Sequence, residues 1–304
     1  MAANNSVVSG DFLLRKVKLI VVQVLILIFF CINVLLILTF FKNKCFHVTT
    51  RYMLFALTLL SDSLLLFLSD ILVIFFNFNI TIHVWLCVII SVLVLLYTTV
   101  TPVTLTAMTL ERYVAICMPL RHGELCSTRR TVYCILIIHG LSSVPCIVIF
   151  SIFFASASFS FYNQYHTCAV EMFSFEMWQS LLRSVIYQIQ CLIMFCIIVV
   201  SYVKILKVAK AASGEDKKLT TKGLKTVVLH GFQLLLCLIQ LWCPFIEVAV
   251  FNFSVYENIK YMNYLLFYLA PKCLSPLIYG IRDECFFMAL KKYASLGLFK
   301  LNNI

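Results

Sequence analysis

The chain has 304 residues, of which 62% are hydrophobic and 12% charged, and its mean hydropathy is +1.01. A soluble domain of this length cannot hide so much apolar surface, so composition points to a membrane protein with several spans. The net charge of +11 would suit a nucleic-acid binder, but the basic residues sit in short segments between apolar runs, which excludes that partner, and the 14 cysteines lie mostly inside the runs rather than in a disulfide framework.

Met1 to Asp11 carries no basic leader region, and the apolar run after Arg15-Lys16-Val17-Lys18 is too long for a cleaved signal, so it reads as a retained first span. Long apolar runs predict seven membrane helices, at 19–41, 52–76, 84–110, 131–154, 181–206, 226–251 and 261–281. Each exceeds the roughly 20 residues a helix needs to cross a bilayer. The whole chain reads as one all-α bundle, with 1–18 on the outside and 282–304 as an inner tail that begins in a short amphipathic helix, Asp283 to Tyr293.

The third run organises the rest. From Cys87 to Arg112 a helix covers about 37 Å at ~1.5 Å per residue, slightly more than a hydrocarbon core of roughly 30 Å. One tilted helix therefore holds Cys87 at one membrane face and Glu111-Arg112-Tyr113 at the other.

Orientation follows from the basic residues. Alternate connections hold Lys42, Lys44 and Arg51; then Arg112, Arg121, Arg129 and Arg130; then the run from Lys204 to Lys225; and the tail adds Arg282, Lys291, Lys292 and Lys300. This side is predicted to be cytoplasmic, which puts the amino terminus outside the plasma membrane against the weaker opposing vote of Arg15, Lys16 and Lys18. The sequons at Asn4 and Asn79 then fall on the outer side; a third, at Asn252, lies close to the membrane. Cys87 and Cys168 are the outer-side cysteines. They can pair, tying span three to the long outer loop for about 2–4 kcal/mol, or remain two free thiols.

Seven spans, an outer amino terminus, a cysteine opening span three and Glu-Arg-Tyr closing it resemble a rhodopsin-like G-protein-coupled receptor. Asn33 fits the family's polar residue in span one, Asp62 its acid in span two and Tyr202 its tyrosine in span five. Trp242-Cys243-Pro244 fits the aromatic-x-proline element of span six, and Ser275-Pro276-Leu277-Ile278-Tyr279 the NPxxY element of span seven. Within that superfamily the chain is most similar to vertebrate odorant receptors, through ERYVAICMPLRH, SYVKIL and PLIYGIR. It departs from them at Glu111 for Asp, at Ser275 for Asn, in a span four without Trp and in a single outer-loop cysteine, as a divergent, fish-like branch would.

Several polar residues need a reason to be at membrane depth, where an ionisable group costs about 2.5–3.5 kcal/mol on insertion scales. The family's helix arrangement places Lys272 near Asp62, and the expectation is that they pair, the ammonium filling the space where many relatives hold a sodium ion. Arg112, a permanently charged five-donor group, is the expected docking point for a G protein. Tyr202 and Tyr279 are candidates to swing toward it, and Pro244 is a kink beneath Trp242.

Transferring family positions predicts a ligand pocket lined by Val94, Leu95, Thr98, Thr99, Ile186, Gln190, Phe245, Ile246, Leu265 and Tyr268, suited to a small, mostly neutral molecule. Val94 stands where aminergic relatives carry an acid, which argues against an anchored amine. The resemblance implies a chemosensory receptor that binds an odorant-like ligand and drives an olfactory or stimulatory heterotrimeric G protein. The alternatives are a non-olfactory receptor for a lipid or metabolite, and a transporter or intramembrane enzyme. No metal, cofactor or catalytic motif (HExxH, GxSxG or P-loop) is present, so neither an enzyme nor a cofactor is expected.

Overall fold

The computed structural model describes residues 2–173, 175–212, 256–274 and 286–292, together with Phe232, Leu235, Ile239 and Cys243. Five helices among them are long and apolar enough to cross a membrane. They are α1 (Ala2–Lys42), α2 (Thr50–Asn77), α3 (Val84–Cys117), α5 (Thr128–Ser156) and α6 (Met177–Ala212), with the short α4 (Pro119–Leu125) between α3 and α5. Each overruns the apolar run that predicts it, because backbone hydrogen bonding continues past the hydrocarbon edge. At the amino terminus the overrun is large: α1 begins at Ala2, so the segment expected only as an outer tail is helical.

α1 shows how such a helix is used. Its run 19–41 is mostly apolar all round, yet its buried side chains, Val22, Ile26, Asn33, Leu36, Thr39 and Phe40, form one stripe, while Ile20, Leu27, Leu38 and Phe41 are exposed. That is a helix with one face on the protein and the rest on lipid. α3 is the central post, packing against α2, α5 and α6. Its many threonines are accommodated by bonding back one turn: the hydroxyls of Thr98, Thr104, Thr106 and Thr109 donate to the carbonyls of Val94, Val100, Pro102 and Leu105 at 2.7–2.9 Å.

Two of the apolar clusters among the described residues are the largest. The outer one is aromatic: Phe150, Phe153, Tyr162 and Phe173 pack with Val84 and Val88 of α3. The inner one gathers Phe40, Phe46, Leu54, Phe55, Leu105 and Met108 around Phe286, which belongs to the helical residues 286–292. The Phe286 ring lies 5.3 Å from that of Phe46 and 5.4 Å from that of Phe55, and it is wholly buried. The amphipathic tail helix is thus docked by its apolar face under α1 and α2.

The outer loop holds one feature that periodicity did not reveal. Strands β1 (Thr81–His83) and β2 (Tyr165–Thr167) pair antiparallel, Thr81 opposite Thr167. Three residues are too few for an alternating pattern to register. The strand pair brings Cys168, just after β2, to Cys87 in the first turns of α3, and the two form a disulfide with Cα atoms 5.5 Å apart. Asn79 sits exposed in the tight turn before β1 at φ 50°, a left-handed conformation that Asn tolerates better than most side chains.

The helical stretch from Tyr256 is π-helical over Tyr264–Leu269 and helical again to 274. Pro271 explains the wider turn: it offers no N–H and its ring crowds the carbonyl four residues back, and a π turn makes room. This stretch lies beside α1, where Lys18 bonds to Asn258 and stands 5.3 Å over the Tyr261 ring.

Candidate functional site

Among the described residues, an ion pair lies at the centre of the bundle. Asp62 of α2 is fully buried, and its Oδ1 accepts a 2.7 Å hydrogen bond from Thr101 of α3 and faces Lys272 Nζ at 3.6 Å. Lys272 is itself 4% exposed, with its ammonium 5.4 Å over the Tyr268 ring. Three elements therefore meet at one carboxylate. A charge this deep persists only with a partner, and the pair makes the region neutral as a whole. Asn33 Nδ2, Ser61 Oγ and Asp62 Oδ2 have no hydrogen-bond partner among the described residues.

Beside this pair is a cavity bounded by α3, α6 and the stretch ending at 274. It is lined by Thr98, Thr99, Thr101 and Pro102, by Tyr187, Gln190, Cys191 and Met194, and by Pro271 and Lys272. The void these walls leave is small, about 20 Å³, and it is continuous with the outside. Its walls are chiefly apolar carbon with a few polar atoms. Thr98 and Thr99 spend their protons on helix carbonyls, Thr99 also reaching Ser142 O at 3.1 Å. Gln190 donates from Nε2 to Leu141 O at 3.4 Å, leaving its Oε1 bare among the described residues, as is the Tyr187 hydroxyl.

Of the expected pocket residues, Thr98, Thr99 and Gln190 line this cavity. The others described do not. Val94 packs with Leu65 and Leu68 of α2, and Leu95 belongs to the outer aromatic core. Leu265 packs toward Val22 and Ile26 of α1. Ile186 opens instead onto a separate cleft with Val148, Gln179 and Arg183. Tyr268 stacks on Tyr264 at 5.2 Å and contributes its face to Lys272 rather than to the cavity wall. Phe245 and Ile246 lie outside the described residues. The cavity is about one turn deeper than the transferred positions imply, and Tyr187, Cys191, Met194 and Lys272 were missing from that set. The cluster of polar residues at Tyr187, Gln188 and Gln190 inside an apolar run was the available signal.

The inner end of α3 is arranged differently from a simple Glu-Arg clasp. Neighbouring helical positions diverge, and the Glu111 carboxylate meets His122 of α4 at 3.4 Å. Arg112 is half-buried and has no ion-pair partner among the described residues. Tyr113 lies in a cluster with Ile198, Tyr202 and Ile205 of α6, and the Lys204 ammonium stands 5.7 Å over the Tyr113 ring. The loop beneath is fastened to α2: Thr50 donates to Cys126 O at 2.8 Å, and its hydroxyl lies 2.7 Å from that of Thr131. Burial pushes the Cys126 thiol pKa up, and the Glu111 charge adds to this. Trp242, Pro244, Ser275, Pro276 and Tyr279, expected on the path between cavity and inner face, lie outside the described residues. The same holds for Asn252 and for Arg282.

A central post closed by a disulfide at one end and by Glu-Arg-Tyr at the other, with a cavity and a buried ion pair between, defines a membrane receptor architecture. Residues 32–279 match the family of 7 transmembrane receptors (rhodopsin family). The chain belongs to that family, and so is a multi-pass membrane receptor of seven spans rather than an enzyme. It is also 40% identical, over 302 residues, to Odorant receptor 131-2 of Danio rerio, an alignment covering 98% of this chain and 93% of that one.

Proposed function

We propose that the chain is a chemosensory receptor of the plasma membrane, with its amino terminus outside. It binds a small, mostly neutral, odorant-like molecule in the cavity between α3, α6 and the stretch ending at 274, and activates a heterotrimeric G protein of the olfactory or stimulatory type at the inner face. The observation that carries the reading is the cavity itself: among the described residues it is mostly apolar, and the Lys272 ammonium in its wall is already neutralised by Asp62. The likeness to a fish odorant receptor supports the ligand class.

Ligand favours a conformation whose inner cleft admits the G protein near Arg112. Moving such an equilibrium from 1:99 to 99:1 takes about 5.5 kcal/mol of differential binding. A small ligand supplies part of this and the G protein the remainder, each raising the other's affinity. Glycans at Asn4 and Asn79 mark the outer side. The test is a ligand panel on surface-expressed receptor with a cAMP reporter, alongside antibody access to an amino-terminal tag on intact cells. A tag reached only after permeabilisation, or no response to any small molecule, contradicts the reading.

A further inference from the structure

The proposed receptor reading leaves the ligand's chemistry open, and a donor and acceptor census of the cavity narrows it. Tyr187 is 8% exposed, lines the cavity, and its hydroxyl has no partner among the described residues. Gln190 lines the same wall; its amide nitrogen is held by Leu141 O, which fixes the side chain with Oε1 bare. Across from them the Lys272 ammonium, with three N–H groups, is paired with Asp62 and covered by Tyr268. The threonine hydroxyls have their protons committed and offer only lone pairs. The cavity thus presents donors at Tyr187 and Lys272 and acceptors at Gln190 and the threonines.

Buried polar atoms of both kinds, left bare, are costly unless a ligand satisfies them. We infer that the ligand carries a hydroxyl group, as an aliphatic alcohol or a phenol, and that Gln190 Oε1 accepts its proton while the Tyr187 hydroxyl or the Lys272 ammonium donates to its oxygen. A ketone, ester or ether only accepts and leaves Gln190 bare. A hydrocarbon leaves both Gln190 Oε1 and the Tyr187 hydroxyl bare. An ammonium or carboxylate brings a net charge into a region that Asp62 and Lys272 have made neutral, without a counter-ion. The inference rests on the receptor reading above, and the apolar remainder of the wall takes the ligand's hydrocarbon part.

The test uses the full-length receptor with a G-protein reporter and a matched panel: 1-alkanols of four to eight carbons, phenol and cresols, their methyl ethers, the corresponding aldehydes and acetates, and amines and carboxylates of the same length. At least one alcohol or phenol is expected to activate, at a concentration at least about tenfold lower than its methyl ether. At matched surface level, Gln190→Leu is expected to shrink that alcohol-to-ether ratio, a readout that loss of receptor alone does not move, while Tyr187→Phe, which removes a donor that alcohol and ether oxygens use alike, is expected to leave the ratio within about twofold. Gln190→Met removes the same acceptor from an unbranched side chain and keeps the test valid if the leucine variant is not surface-expressed. Activation by ethers, esters or aldehydes but not by their alcohols overturns the inference and leaves the receptor reading standing, as does a ratio unmoved by both Gln190 variants. Silence toward every class, the charged ones included, overturns both.

Discussion

Lys272 Nζ lies 3.6 Å from Asp62 Oδ1, and both side chains are shut away from solvent. The pair joins the stretch ending at 274 to α2, and Thr101 adds α3 through its hydrogen bond to the same oxygen. Removing one partner strands a charge in the bundle. Asp62→Asn and Lys272→Met are each expected to cost about 3–5 kcal/mol, read as lower surface level and lower melting temperature in detergent. The double variant recovers most of the loss. A double variant no better than either single one shows that the two residues do not act as a pair.

We propose, from the family resemblance, that the ammonium fills the space where many rhodopsin-like receptors hold a sodium ion. Ligand potency is therefore expected to stay within about twofold when sodium is replaced by choline at constant ionic strength, which holds screening fixed. Lys272→Met vacates the position beside Asp62 and is expected to introduce a sodium dependence. Potency measured in both salts, for both proteins, checks this.

Cys87–Cys168 closes a loop spanning 81 positions and fastens the β1–β2 pair to α3. Cys87→Ser is expected to lose about 2–5 kcal/mol, seen as retention inside the cell and as a lower melting temperature. Cys168→Ser is expected to match it, and the double serine variant to be no worse than either.

Phe286 is wholly buried among Phe46, Tyr52 and Phe55. Phe286→Ala removes the anchor of the tail helix at a cost of about 3–5 kcal/mol. Faster proteolysis of the carboxyl-terminal tail, with the outer half unaffected, is the expected signature.

Much of this architecture was legible in the residues. Apolar runs longer than a bilayer needs marked the five long helices, and the Lys and Arg asymmetry supplies the direction proposed for them. An acid and a lysine in apolar runs were conspicuous because each demands a partner. The cavity wall was harder to read, because lining depends on helix rotation. One residue turns a helix by about 100°, which is enough to separate Ile186, on its own cleft, from Tyr187, in the cavity. The π turn at Tyr264–Leu269 shifts the phase again, so Leu265 faces α1 while Lys272 faces the centre. The β1–β2 pair was invisible for another reason, since its partners are far apart in the chain and only three residues long.

Central to the account is that ligand in the mid-membrane cavity acts on a G protein through Arg112. The direct measurement is ligand-dependent G-protein activation by Arg112→Ala at a surface level matched to the parent. Ligand binding is expected to persist while activation is lost. An Arg112→Ala receptor that still drives the G protein at the parent's potency and maximum contradicts the account.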